Sequence, residues 1–339
     1  MENKTKLQEA LKKRNFYTIK DSGTVFLYAL LFPLLVGLVF CYASMMIASN
    51  SGVQFEEGVN VIEYLFYNNY YWFSIPYMLL TQLVFILIYF FYKKSNRISF
   101  SASKVFVKKT KPLSAVISAA TGIVCVLGFV LLIEVCFGNM FKAIGLEPNS
   151  LGLPNNNGGW FVLNLLILGV IPAICEELLF RGIVFQGLKE KFSRPVSMAL
   201  SALIFALVHQ NIQQFIYPFL LGLLLSFVFD KTNNLVYTIL IHMFNNFTTL
   251  TLNFLAELNI ISFEFAVTWW VVLLALLAVA VTCLILWVIY RFYLKKHEKI
   301  EVENEGEVVQ SAPLSIGKFP LTMVIGFLTA VVMIVITLL

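Results

Sequence analysis

The run EELLFRG at 176–182 places two carboxylates and a guanidinium inside an otherwise apolar stretch. Each such charge near a bilayer centre costs about 2.5–3.5 kcal/mol on insertion scales, so the three need a partner or a use. On a helix Glu177 and Arg181 lie four residues apart on one face, where each can neutralise the other. Glu176 points about 100° away and has no such partner in its own helix. That asymmetry makes Glu177 and Arg181 candidates for support, and Glu176 a candidate acid and base.

The chain has three histidines. His209 ends FALVH, one turn after Phe205. His242 opens HMFNN, so Asn246 shares its helix face while Asn245 points elsewhere. His297 lies in a basic segment and is read as solvated, and Glu134 as an interfacial residue near the outer end of its helix. Depth follows from counting inward from the basic helix ends at about 1.5 Å per residue. Glu176 is 13 residues from Lys189, His209 is 15 from Arg194, and His242 and Asn246 are 11 and 15 from Lys231. These counts put all four groups at roughly 17–22 Å, a single level for four polar groups on three helices.

A carboxylate and an imidazole converging on one water can deprotonate it for attack on a carbonyl, and the Glu can then pass the proton to a leaving amine. A second His with an Asn one turn away can donate to the oxyanion that forms. Amide hydrolysis uses all four residues. Glu and two His also make a plausible zinc set, although the H-E-x-x-H signature is absent. The bland alternatives are a hydrogen-bonded packing histidine and a structural ion pair.

Stepping outward to the elements, 59% of the 339 residues are hydrophobic and 13% charged, which excludes a soluble globular protein. An all-α, polytopic bundle of about nine transmembrane helices is expected. Long apolar stretches run at Val25–Ala48, Tyr71–Tyr92, Leu113–Phe137, Trp160–Leu188, Leu235–Phe254, Phe265–Tyr290 and Phe319–Leu339. Two shorter ones, Pro195–Gln210 and Ile212–Phe229, are expected to pair as a hairpin. The reading divides the chain into a basic arm at 1–21, N-terminal membrane helices at 22–159, a four-helix catalytic core at 160–254, and C-terminal helices at 255–339 with an acidic linker at 298–317. The first apolar stretch is too long for a secretory signal core and is read as retained. The five cysteines lie in apolar stretches without C-x-x-C spacing and read as packing residues.

Of the 24 Lys and Arg, 22 fall on one side if the N-terminus is cytoplasmic, leaving Lys142 outside and Arg181 in the membrane. Nine helices then put the C-terminus outside. The net charge of +5 is explained by basic loops facing an anionic leaflet, and no nucleic-acid partner is expected.

The motifs EELLFRG, FALVH and HMFNN, in this order, resemble E-E-x-x-x-R, F-x-x-x-H and H-x-x-x-N/D of the CAAX-protease and bacteriocin-processing (Abi) family of intramembrane proteases. The resemblance runs from about Trp160 to Leu250. It implies that Glu176 and His209 activate water, that His242 and Asn246 form the oxyanion hole, and that Glu177 and Arg181 support the site without a metal, zinc being the alternative. It also implies a membrane-associated or lipidated peptide or protein substrate, as in C-a-a-X processing, in bacteriocin or pheromone maturation, or in self-immunity. Two rival readings are a catalytically dispensable scaffold for a sensor kinase or secretion factor, and a proton-coupled transporter. The transporter is disfavoured because the polar residues are confined to one region with no counterpart in a second half.

Overall fold

The computed structural model describes residues 13–51, 70–105, 116–118, 120–123, 158–211, 215–260, 273, 277, 280, 284 and 319–338. Among them the chain is helical, with no strand beyond an isolated bridge between Arg14 and Ile98. The helices are α1 Ile19–Asn50, α2 Ile75–Ser95, α3 Gly159–Leu188, α4 Arg194–Val208, α5 Ile216–Thr232, α6 Leu235–Glu257 and α7 Leu321–Leu338. Four helical stretches are long and apolar enough to cross a membrane: α1, Trp72–Ser95, α3 and α6. This is an all-α membrane protein. The spans expected at Leu113–Phe137 and Phe265–Tyr290 lie largely outside the described residues, as do the acidic linker and most of the basic arm.

Helix α1 begins at Ile19 because Thr18 and Asp21 form a reciprocal cap. The Thr18 amide donates to Asp21 Oδ2 at 2.7 Å, and the Asp21 amide donates to Thr18 Oγ1 at 3.4 Å. Arg14 grips both Asp21 oxygens, at 2.8 and 2.9 Å, and the Tyr92 hydroxyl donates to Oδ1 at 2.6 Å. The end of the basic arm is therefore docked on the bundle. Charge counting assigns Lys93 to a solvated loop, but the structure buries it at 1% exposure. Its Nζ donates to Ser103 Oγ at 2.7 Å and to Tyr17 Oη at 2.9 Å, over the Tyr89 ring. Burial pushes the Tyr17 phenol well above its ordinary range. Two further ties reach α3 and its exit: Ser22 Oγ donates to the Val184 carbonyl at 2.7 Å, and the Ile19 amide to Glu190 Oε2 at 2.7 Å.

Helix α3 is widened twice. Pro172 has no N–H to offer the Leu168 carbonyl four residues back, and its ring would clash there. A π-type turn over Leu165–Val170 relieves the conflict. A second wide turn, Phe180–Phe185, carries Arg181. Gln186 Nε2 donates to the Gly182 carbonyl in that turn at 2.8 Å.

Helices α4 and α5 pack as the expected hairpin. Helix α5 ends on Asn233 in the left-handed conformation, φ 49°, and Asn234 caps α6 by accepting from the Val236 amide at 3.0 Å. This two-residue turn sends α6 back antiparallel to α5. The α4–α5 contact needs Gly222: a Cβ there would stand 2.9 Å from Ala202 Cα and 3.4 Å from Arg181 Nη2. Gly222→Ala is expected to cost about 1–3 kcal/mol by forcing the helices apart. Unfolding in detergent measures it, and an unchanged midpoint would show that the pair can relax.

Candidate active site

The charged centre lies among α3, α4, α5 and α6. Arg181 and Glu177 are both fully buried, with Nη1 donating to Oε1 at 2.6 Å. Nη2 donates to the Gly222 carbonyl at 3.1 Å, which glycine leaves open to approach. The guanidinium sits 4.6 Å from the centroid of the Phe205 ring, a stacked arrangement suited to Arg. A single Arg thus joins α3 to α4 and α5. The i, i+4 pairing expected from the sequence is present, and two of its three supports come from other helices.

Glu177 Oε1 also holds His242, whose Nδ1 lies 3.2 Å away. The other ring nitrogen, Nε2, faces Glu176 Oε2 at 3.8 Å, outside hydrogen-bond range. The two adjacent carboxylates therefore flank one imidazole from α6. They differ in access: Glu177 has no solvent exposure, whereas the Glu176 side chain is 12% exposed.

His209 caps α4 just past Val208, and Gln210 after it takes φ 53°. The sequence reading carries the helix through both residues, whereas the chain turns there. His209 Nδ1 lies 2.9 Å from the Phe205 carbonyl. A carbonyl only accepts, so Nδ1 carries the proton in the neutral ring and Nε2 keeps its lone pair. Phe205 is edge-on to both imidazoles, with centroids 5.1 Å from His209 and 5.8 Å from His242. His209 and His242 are thus gathered around one aromatic ring, with Glu176 beside the outer nitrogen of His242. The sequence motif contains that ring, but its position between both histidines and the guanidinium was not anticipated.

Asn246 lies one turn beyond His242, and its Nδ2 donates to the Leu168 carbonyl at 3.3 Å. That is the carbonyl deprived of its helical donor by Pro172. Asn245 was read as pointing elsewhere. It is buried at 2% exposure, donates from Nδ2 to Asn246 Oδ1 at 3.2 Å, and accepts from the Tyr217 hydroxyl. Its position next to Asn246 was visible in the sequence, but the partner that turns it inward, Tyr217 on α5, was not. Among the described residues no group of three His, Cys, Asp or Glu side chains is arranged to hold a metal ion.

Residues 158–248 match the family described as Type II CAAX prenyl endopeptidase Rce1-like. The match covers about a quarter of the chain, and over that segment the chain is similar to this family. The matched segment coincides with α3 to the middle of α6, the helices that carry every residue just described. The UPF0177 protein YxdF of Lactococcus lactis subsp. lactis (strain IL1403) is 35% identical over 77 residues. The aligned part is 22% of this chain and 42% of that relative, so the match spans less than half of its length. No solved structure matches the chain.

Proposed function

We propose that the protein is an intramembrane endopeptidase acting on a membrane-associated or lipidated peptide or protein. The observation that carries this reading is His242 between two carboxylates, with Nδ1 3.2 Å from Glu177 and Nε2 3.8 Å from Glu176. In this reading Glu176 and the free Nε2 of His209 take a proton from water as its oxygen attacks the scissile carbonyl. The oxyanion accepts hydrogen bonds from His242 Nε2–H and Asn246 Nδ2–H. Collapse of the tetrahedral intermediate breaks the C–N bond, and Glu176 delivers its proton to the leaving amine. Glu177 and Arg181 orient His242. In the imidazolium form of His242 the charges of Glu176, Glu177, Arg181 and His242 sum to zero, which suits a water-poor site.

The reading includes a metal-free reaction, with zinc held by Glu and His as the alternative. It also puts the N-terminus in the cytoplasm and the C-terminus outside. The helix ends tied together by the Ile19–Glu190 and Lys189–Asp230 contacts belong to segments assigned to one side by their positive charges. Bacteriocin or pheromone maturation, or self-immunity, is the proposed setting.

The test is a proteoliposome assay of wild type and His209→Ala on fluorogenic lipidated and unlipidated peptides. Wild type is expected to cleave, and the variant to lose about 10²–10⁴-fold. A chelator is expected to leave the rate unchanged. Loss on chelation that zinc restores would sink the metal-free version. Wild-type inactivity across the panel, with His209→Ala still complementing a deletion strain, would replace the peptidase reading with that of a scaffold.

A further inference from the structure

An oxyanion donor is useful only if its N–H groups face the right way, and an Asn amide can flip. Three contacts in series decide the orientation here. The Leu168 carbonyl can only accept, so Asn246 presents Nδ2 to it at 3.3 Å and turns Oδ1 toward Asn245. That oxygen can only accept, so Asn245 presents its own Nδ2, at 3.2 Å. Asn245 Oδ1 is then left for the Tyr217 hydroxyl, which donates. The polarity of the chain is set by the carbonyl freed by Pro172, and the phenol on α5, free to turn its proton either way, completes it by donating to Asn245.

We infer that Tyr217 and Asn245 are positioning residues that hold the Asn246 amide with its nitrogen toward the reacting carbonyl. The inference rests on the endopeptidase reading and adds two residues to it. Neither lies in the E-E-x-x-x-R, F-x-x-x-H or H-x-x-x-N/D positions. Asn245 is buried at 2% exposure with both ends of its amide engaged, so it has one orientation that satisfies all its neighbours. A direct role on substrate is not required of either residue. Because Tyr217 is on α5 and Leu168 on α3, the relay also fixes α6 between them at the depth of the site.

The substitutions separate orientation from bulk. Tyr217→Phe keeps the ring and removes the donor. Asn245→Asp keeps the shape but can only accept, so Asn246 must turn its nitrogen to it and its oxygen toward the Leu168 carbonyl. Removing an oxyanion donor costs about 10²–10³-fold in kcat, which is the loss expected for Asn246→Ala. Asn245→Asp is expected to approach that loss and Tyr217→Phe to lose roughly tenfold in kcat, both with KM little changed. In the Asn246→Ala background Tyr217→Phe is expected to add nothing, since it acts through the missing amide. Full kcat in Tyr217→Phe, or the same fractional loss with and without Asn246, would overturn the relay.

A second readout keeps the relay testable apart from the reaction. Melting temperatures in detergent of Tyr217→Phe, Asn246→Ala and the double variant are expected to be non-additive. If wild type proves inactive and the melting shifts still couple, the relay stands and the endopeptidase reading falls. If wild type is inactive and the shifts add, both fall.

Discussion

Replacing Glu176 with Gln is expected to lower peptide hydrolysis by about 10²–10⁴-fold while leaving the melting temperature of the purified protein near that of wild type. Gln has the size of Glu but cannot take a proton from water or return it to an amine. Little structure depends on the charge. The Glu176 side chain is partly exposed, and its nearest cation-forming neighbour, His242 Nε2, is 3.8 Å away, beyond hydrogen-bond distance. The measurement is kcat/KM on the best peptide together with a thermal melt of the same preparation. Wild-type rates in Glu176→Gln would move the base to His209 or His242, while a collapsed melt would make Glu176 a structural residue after all.

The adjacent substitution is expected to lower stability as well. Glu177→Gln leaves the Arg181 guanidinium fully buried without its counter-charge, and breaking a buried pair in this way costs about 3–5 kcal/mol. The Gly222 carbonyl and the Phe205 ring remain as partners but bring no negative charge. His242 also loses the carboxylate that holds Nδ1. Both stability and activity should therefore fall. Replacing Glu177 and Arg181 together with apolar residues of similar volume should cost less than the single change, because no uncompensated charge is left. Denaturant unfolding of the three variants checks the pair. A Glu177→Gln loss under about 1 kcal/mol would mean that the guanidinium finds water or another anion.

The contrast between Glu176 and Glu177 was legible in the sequence, because helical spacing alone pairs 177 with 181. Counting inward from the basic helix ends put Glu176, His209, His242 and Asn246 at one level, and the structure sets His242 beside Glu176 and, across Phe205, near His209. The all-helical class followed from the apolar stretches. What spacing could not supply were contacts between helices that are not neighbours in register. The placement of Phe205 against Arg181, His209 and His242 depends on how α4 crosses α3 and α6. Asn245 does point off the His242 face, toward Tyr217 on α5, but its link to Asn246 was not anticipated, since a helix flanked by α3 and α5 has more than one buried face. Pro172 was a readable signal: a proline inside a long membrane helix frees one carbonyl, and Asn246 answers it. The capping pair Thr18 and Asp21 was readable too, but charge counting treated residues 1–21 only as a basic arm. Lys93 escaped for a related reason, since a lysine at a helix end is usually solvated, and only the surrounding Tyr17, Tyr89 and Ser103 show that it is enclosed.

The ties between the start of α1 and the exit of α3 also set a schedule for biosynthesis. The Ile19 amide and the Glu190 carboxylate are 171 residues apart in the chain. At about 5–20 residues per second, the interval between their emergence is roughly 10–30 s. Through that interval the first span can be held at its amino end by Tyr92 of α2, but its contacts with α3 cannot exist. Its final seat is chosen late, by a segment that also delivers Arg181 and the two glutamates. Closure of the amino-terminal end can thus precede assembly of the reactive centre, which awaits His209 and His242 on later helices, and a nascent chain stopped short of Val184 has neither.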